Sequence, residues 1–132
     1  MTQSVNTFLM FQDGRAEEAI TFYVSLIEGS EIISLVRYGP EGPGAEGSVF
    51  QAAFRLAGHA CRAFDSPVKH AFEFTPSTSI FIDCDSEAEV NRLFAALSDG
   101  GQVMMPVGDY GFSRRFGWTN DRFGVSWQIN MP

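Results

Sequence analysis

Few side chains in this chain are equipped for chemistry, and their spacing restricts that chemistry further. Gln128 stands on the polar edge of Val125-Ser126-Trp127-Gln128-Ile129-Asn130, a segment that alternates like a strand and follows the turn signal Asp121-Arg122-Phe123-Gly124. An amide there can donate and accept hydrogen bonds, yet it is a poor donor to a transition metal. The only histidines, His59 and His70, fall at a turn and in a connecting segment, so a solvated or locally hydrogen-bonded role is expected for both. No Ser-His-Asp or Cys-His set is supported by their positions. Cys61 and Cys84 lie far apart with no CxxC pair, which predicts two reduced thiols, at least one of them buried in a strand.

The remaining polar candidates have bland readings beside their functional ones. Asp109-Tyr110 follows Gly108 in a turn, so a surface hairpin is expected, the alternative being the mouth of a cavity. Arg114-Arg115 alternates around a strand, and one of the two must face inward or a partner, most simply as a structural ion pair. Asp121 is expected to fix its turn by accepting from its own backbone.

The elements that must position these residues fit one domain. The 132 residues are 45% hydrophobic and 14% aromatic, enough for a core without disulfides or metal staples. A net charge of −7 and a pI near 4.6 oppose binding to nucleic acid or to an anionic membrane. Partners are then small molecules or another protein. Met1 to Val5 has no basic segment leading into an apolar stretch, and no run approaches the roughly 20 apolar residues that span a bilayer. A soluble, cytoplasmic protein is expected.

One order of elements occurs twice. A strand near Asn6 to Phe11, a helix near Ala16 to Ile27 and strands near Glu31 to Tyr38, Ser48 to Leu56 and His59 to Asp65 make a first module over about 1–66. After a connector over about 67–77, a second module over about 78–132 repeats the plan. It has a strand at Ser79 to Asp83, a helix at Glu87 to Leu97 and strands near Gln102 to Val107, Phe112 to Trp118 and Val125 to Met131. Each module reads βαβββ. Ala16, Ala19, Ile20, Tyr23, Val24 and Ile27 recur at helical spacing, as do Val90, Leu93, Phe94 and Leu97. Ser86 and Glu89 have capping-box spacing, Gly100-Gly101 offers a helix stop, and Asp13 is expected to cap the first helix.

Strand alternation says which side chains leave the core. Leu9 and Phe11 should pack on the first helix, leaving Phe8 and Met10 on the far face. Ile80, Ile82 and Cys84 should lie under the second helix, leaving Ser79, Phe81 and Asp83 opposite, and Val125, Trp127 and Ile129 go inward while Ser126, Gln128 and Asn130 do not. Gly39 to Gly47, with four Gly and two Pro, predicts a mobile loop, either a lid or plain surface. The connector's Phe72 and Phe74 predict that it is packed.

The paired modules, the stretch Asp13-Gly14-Arg15-Ala16-Glu17-Glu18-Ala19-Ile20-Thr21-Phe22-Tyr23, the Gly58 turn, Trp118 and the ending Asp121 to Ile129 together resemble the PhnB-like branch of the glyoxalase/bleomycin resistance/extradiol dioxygenase (vicinal oxygen chelate) superfamily. The match spans nearly the whole chain. It implies an α+β fold in which two βαβββ modules form a curved mixed sheet with helices on the convex face. Metal-dependent relatives place ligands, usually two His and two Glu, on the first and last strand of each module. The corresponding positions here are Phe8, Arg62, Ser79 and Gln128, with Ala63 replacing Arg62 if the alignment slips by one. A Phe, an Arg, a Ser and a Gln have little donor power, so no metal and no cofactor are expected.

The resemblance leaves a candidate pocket in which Phe8, Met10, Phe64 and Phe81 surround Arg62, Ser79 and Gln128, suited to an anionic or aromatic ligand. An ion pair of Arg62 with an inward Asp such as Asp83, or a place at a dimer seam, is the competing reading. Members of the branch carry the label 3-demethylubiquinone-9 3-methyltransferase. The glycine-rich turn between first strand and helix that a doubly wound methyltransferase needs is absent here, because Gly100-Gly101 ends a helix instead of opening one. Three readings follow: a metal-free binding protein, a metal-independent enzyme on a small carbonyl or quinone-like compound, and a structural dimer with a vestigial pocket. A homodimer is expected in each, its modules pairing within a chain or across chains.

Overall fold

The computed structural model describes residues 1–132, which divide into two compact units, Met1–Ala71 and Phe72–Pro132. The first unit runs β1 (Thr7–Phe11), α1 (Ala16–Leu26), β2 (Glu31–Arg37), β3 (Val49–Leu56) and β4 (His59–Asp65). The second runs β5 (Ile80–Asp83), α2 (Glu87–Ser98), β6 (Gln102–Gly108), β7 (Arg115–Asn120) and β8 (Ser126–Met131). The strand orders are β1-β4-β3-β2 and β5-β8-β7-β6. In each sheet the first strand pairs parallel with the last and every other pair is antiparallel. Each unit is therefore a four-stranded mixed sheet carrying one helix, in an α+β fold built from two βαβββ modules.

The cores follow from alternation. In the first unit Ala16, Ala19, Ile20 and Tyr23 of α1 are buried against Leu9, Phe11, Phe54, Cys61 and Ala63 of the sheet. Val90, Leu93 and Leu97 of α2 are buried with Trp127 and Ile129. Gly117 is required at its place on β7, since a Cβ there would lie 2.5 Å from the Phe94 ring. Ala57 and Gly58, both with positive φ (48° and 89°), form the two-residue turn that joins β3 to β4 and fixes their register.

Buried carboxylates hold the modules at their weakest points. Asp65, at the end of β4, accepts from the Ala16 N–H at 2.9 Å and the Val49 N–H at 2.8 Å, and its carbonyl accepts from the Tyr38 hydroxyl at 2.9 Å. It thus caps α1. The expected cap, Asp13, is exposed and does not serve, and Arg15 at the N-cap offers no side-chain bond. A carboxylate fixed in the sheet reaches the first helical N–H, where the helix dipole also favours it. In the second unit Asp121 accepts from the Phe123 N–H at 2.9 Å and the Val125 N–H at 3.0 Å, as expected of the turn. Its other oxygen accepts from the indole N–H of the fully buried Trp127 at 2.9 Å, a bond that no local sequence signal indicates.

Other boundaries shift for local reasons. The capping box at α2 is half made: Ser86 Oγ accepts from the Glu89 N–H at 3.2 Å, while the Glu89 carboxylate pairs with Arg92 and its pKa is lowered by that bond. Gly100, at φ 74°, ends the helix as expected. The strand β7 begins at Arg115 instead of Phe112, because Asp109 Oδ1 accepts from the Gly111 N–H at 2.8 Å and Gly111 takes φ 92°, prolonging the turn. The Gly39 to Gly47 loop is closed at its neck by Tyr38–Ser48 and Gly47–Tyr38 backbone bonds. Gly44 lies against the Tyr38 ring, which leaves no room for a Cβ. In the connector Phe74 is half-buried near Gly124, whereas Phe72 is 59% exposed. No helix is long and apolar enough to cross a membrane.

Both cysteines are unpaired and buried. Burial pushes the Cys61 thiol from 9.0 up to about 11, and burial, reinforced by Glu89, Asp83 and Asp85 against Arg92, does the same for Cys84.

These contacts carry measurable consequences. Replacing Asp65 by Ala strands two buried N–H groups, so chemical denaturation should show a loss of about 3 kcal/mol; a loss below about 0.5 kcal/mol would refute its role as the cap of α1. The thiols of the unfolded chain ionise near pH 9.0, while those of the folded chain keep their protons to about pH 11. Their contribution to stability is therefore complete below pH 9.0 and declines as pH rises toward 11. Thermal melts across that interval should fall more steeply for the native protein than for a Cys61→Ala, Cys84→Ala variant, and parallel curves would contradict the shifts.

Candidate functional site

The helix-free face of each sheet collects the chemistry that the core excludes. In the first unit the parallel register of β1 and β4 sets Phe8 beside Arg62 and Met10 beside Phe64. The Phe8 and Phe64 rings are 5.4 Å apart, and Phe8 is 59% exposed. Ala63 is buried on the helix side, so Arg62 is the residue that shares a face with Phe8. Arg62 is exposed and makes no ion pair, unlike Arg15, Arg37 and Arg55 of the same unit, which face Glu18, Glu17 and Glu31.

In the second unit β8 lies between β5 and β7, and the register lines up Phe81, Gln128 and Trp118 in one row and Asp83, Asn130 and Phe116 in the next. Ser79, just before β5, has its hydroxyl 2.7 Å from that of Ser126, which also accepts from the Trp118 indole N–H at 2.8 Å. The Gln128 side chain, half-buried between Phe81 and Trp118, has no hydrogen-bond partner. Of the residues expected to form a site, Phe8, Met10, Arg62 and Phe64 thus come together in the first unit, and Ser79, Phe81 and Gln128 in the second.

Several neighbours carry no motif that marks them in the sequence. Phe116 packs on Phe112 at 5.0 Å, on Tyr110 at 6.1 Å and on Phe81 at 6.4 Å, so the Asp109-Tyr110 turn delivers an aromatic ring to this face. Even-numbered alternation through Phe116 and Trp118 was the available signal. The other polar candidates are structural. Arg115 pairs with Glu87 at 3.3 Å and donates to Asn91 at 2.8 Å, Arg114 donates to the Pro132 carbonyl, and His59 bonds Thr7 at 2.8 Å. His70 lies 3.4 Å from Ser66 Oγ.

A divalent metal does not suit these residues. No three His, Cys, Asp or Glu side chains converge anywhere in the chain. Phe8 offers no donor atom, Arg62 a positive charge, and Ser79 and Gln128 only neutral oxygens.

Comparison with known proteins is consistent with this architecture. The family model described as 3-demethylubiquinone-9 3-methyltransferase matches residues 3–130. The structure of the PhnB protein of Bacillus cereus is 48% identical, with a TM-score of 0.95 over 98% of this chain and 100% of that one. A protein of Pseudomonas aeruginosa is 30% identical, with a TM-score of 0.84 over 98% of both chains. A mutant of the fosfomycin resistance protein FosX of Listeria monocytogenes is 14% identical, with a TM-score of 0.66 over 98% of this chain and 93% of that one, a likeness of fold. No curated protein matches. With its duplicated βαβββ units and a family match across almost its full length, the chain belongs to the PhnB-like 3-demethylubiquinone-9 3-methyltransferase family.

Proposed function

We propose that this protein is a metal-free binding protein for a small anionic or aromatic molecule, acting as a cytoplasmic homodimer. The observation that carries the reading is the pair of uncommitted polar groups among aromatic side chains. Arg62 stands beside Phe8 without a carboxylate, and Gln128 stands between Phe81 and Trp118 without a hydrogen bond. A guanidinium left without a carboxylate where the other arginines of its unit, Arg15, Arg37 and Arg55, are paired suits a carboxylate, phosphate or phosphonate in fork geometry. FosX, whose structure contains Mn(II) and a dihydroxypropylphosphonic acid, is an example of the fold accommodating a small anion. The donor set of Phe8, Arg62, Ser79 and Gln128 makes the metal the part of that arrangement that does not transfer. Exposed Phe8 and Phe81 need cover, which a ligand or a second copy supplies, and two unpaired thiols suit a reducing compartment.

The Ser79–Ser126 hydroxyl pair favours one second reading, a metal-independent enzyme on a small carbonyl or quinone-like compound, with the pair passing a proton. Turnover assays on carbonyl, epoxide and quinone substrates separate it from simple binding. Methyl transfer on a doubly wound fold has no counterpart here, since each sheet has only one parallel strand pair and no strand-order switch to hold a dinucleotide-like cofactor.

Melting-temperature screening against carboxylates, phosphonates and aromatic metabolites should find a ligand whose stabilisation reaches about 2.7 kcal/mol at a hundredfold excess over Kd. Replacing Arg62 by Met should weaken an anionic ligand by at least about tenfold, the worth of one charge-assisted hydrogen bond. Ligands that bind Arg62→Met and Gln128→Ala variants as tightly as the native protein would overturn the assignment, and light scattering at the monomer mass would remove the dimer.

A further inference from the structure

We infer that Ser79 and Gln128 form a pair of hydrogen-bond donors on the helix-free face of the second unit and take the neutral carbonyl oxygen of an aromatic ligand. This deepens the reading of that face as a ligand surface and rests on it.

The direction of one hydrogen bond carries the argument. Ser126 is only 2% exposed, and its hydroxyl oxygen has two polar neighbours, the Trp118 indole nitrogen at 2.8 Å and the Ser79 hydroxyl at 2.7 Å. An indole N–H donates and cannot accept, so the Ser126 proton has no use for Trp118. Ser79 is the acceptor left to it. Were Ser79 to donate instead, the Ser126 O–H would be buried without a partner, which native structures rarely allow. Protons therefore run from Trp118 to Ser126 and from Ser126 to Ser79, and the proton of Ser79 is left over. Ser79 is half-buried and bonds no other side chain, so that proton is available to a ligand, and accepting from Ser126 makes the hydroxyl a stronger donor.

Register supplies the second donor. Parity puts Ser79 on the same face as Phe81, whose partner on β8 is Gln128, and Gln128 is in turn opposite Trp118. The Gln128 amide has no hydrogen-bond partner, yet it is not among the buried unsatisfied groups, so it stays within reach of a ligand. The aromatic side chains of Phe81, 53% exposed, and Trp118 flank it and suit a flat apolar body. Charge selects a neutral acceptor. Arg115 is engaged by Glu87 and Asn91, Arg114 by the Pro132 carbonyl, and the charged side chain that parity adds to this face is Asp83. A carboxylate would find no counter-charge, whereas a carbonyl oxygen has two lone pairs for two neutral donors.

Amide-resolved NMR titration at millimolar concentrations tests this with acetophenone, ethylbenzene and benzoate. Acetophenone should shift resonances of β5 and β8 and bind at least about tenfold more tightly than ethylbenzene, the same body without the oxygen. Ser79→Ala should weaken acetophenone about fivefold, the worth of one neutral hydrogen bond, and leave ethylbenzene unchanged. Ser79→Thr, which keeps the hydroxyl, should restore the preference, and Gln128→Leu should weaken acetophenone as Ser79→Ala does. Equal binding of acetophenone and ethylbenzene, acetophenone bound undiminished by Ser79→Ala, or benzoate shifting β5 and β8 as strongly would overturn the inference. Should benzoate bind beside Arg62 while acetophenone shifts nothing, the carbonyl site falls and the binding reading stands; silence from every probe refutes both.

Discussion

Side-chain alternation along β4 and β8 is the constraint on which the rest depends. Each strand is hydrogen-bonded on both flanks, so its register is fixed and a one-residue slip would exchange its faces. Along β4, Cys61, Ala63 and Asp65 turn toward α1 while Arg62 and Phe64 turn away. Along β8, Trp127 and Ile129 are wholly buried while Gln128 keeps its amide free on the opposite side. The same apolar residues that build each core thereby hold the polar groups in place on its reverse.

Two buried carboxylates keep that register. Asp65 joins the start of α1 to β3 and β4, and Asp121 joins the β7–β8 turn to the indole of Trp127. Each satisfies backbone N–H groups that would otherwise be buried without partners, at a cost of about 1–3 kcal/mol apiece. Neither is placed to act on a ligand. Asp83, by contrast, is exposed and forms no salt bridge, its carboxylate accepting from the Asn130 amide.

Much of this was legible in the sequence because it rests on period and parity. The paired modules, both helical stripes, the Gly100 stop and the faces taken by Phe8, Met10, Phe81 and Gln128 follow from spacing alone. What escapes such reading depends on residues distant in the chain. Asp13 is the nearest acid to α1, but Asp65 reaches its first N–H from across the sheet. Phe112 has the look of a strand residue, which sets the expected start of β7 too early, whereas the Asp109–Gly111 turn carries it into an aromatic cluster. The indole bond to Asp121 needs the turn and the strand together.

The superfamily resemblance brings an expectation of metal that these residues do not meet, since the four corresponding positions supply a phenyl ring, a guanidinium, a hydroxyl and an amide. Melting the protein with nickel, zinc or manganese at neutral pH is the most direct measurement of that difference. No rise in melting temperature over a magnesium control is expected, with or without a chelator. A rise of several degrees that a Gln128→Ala substitution abolishes would show that a metal centre forms on this face after all.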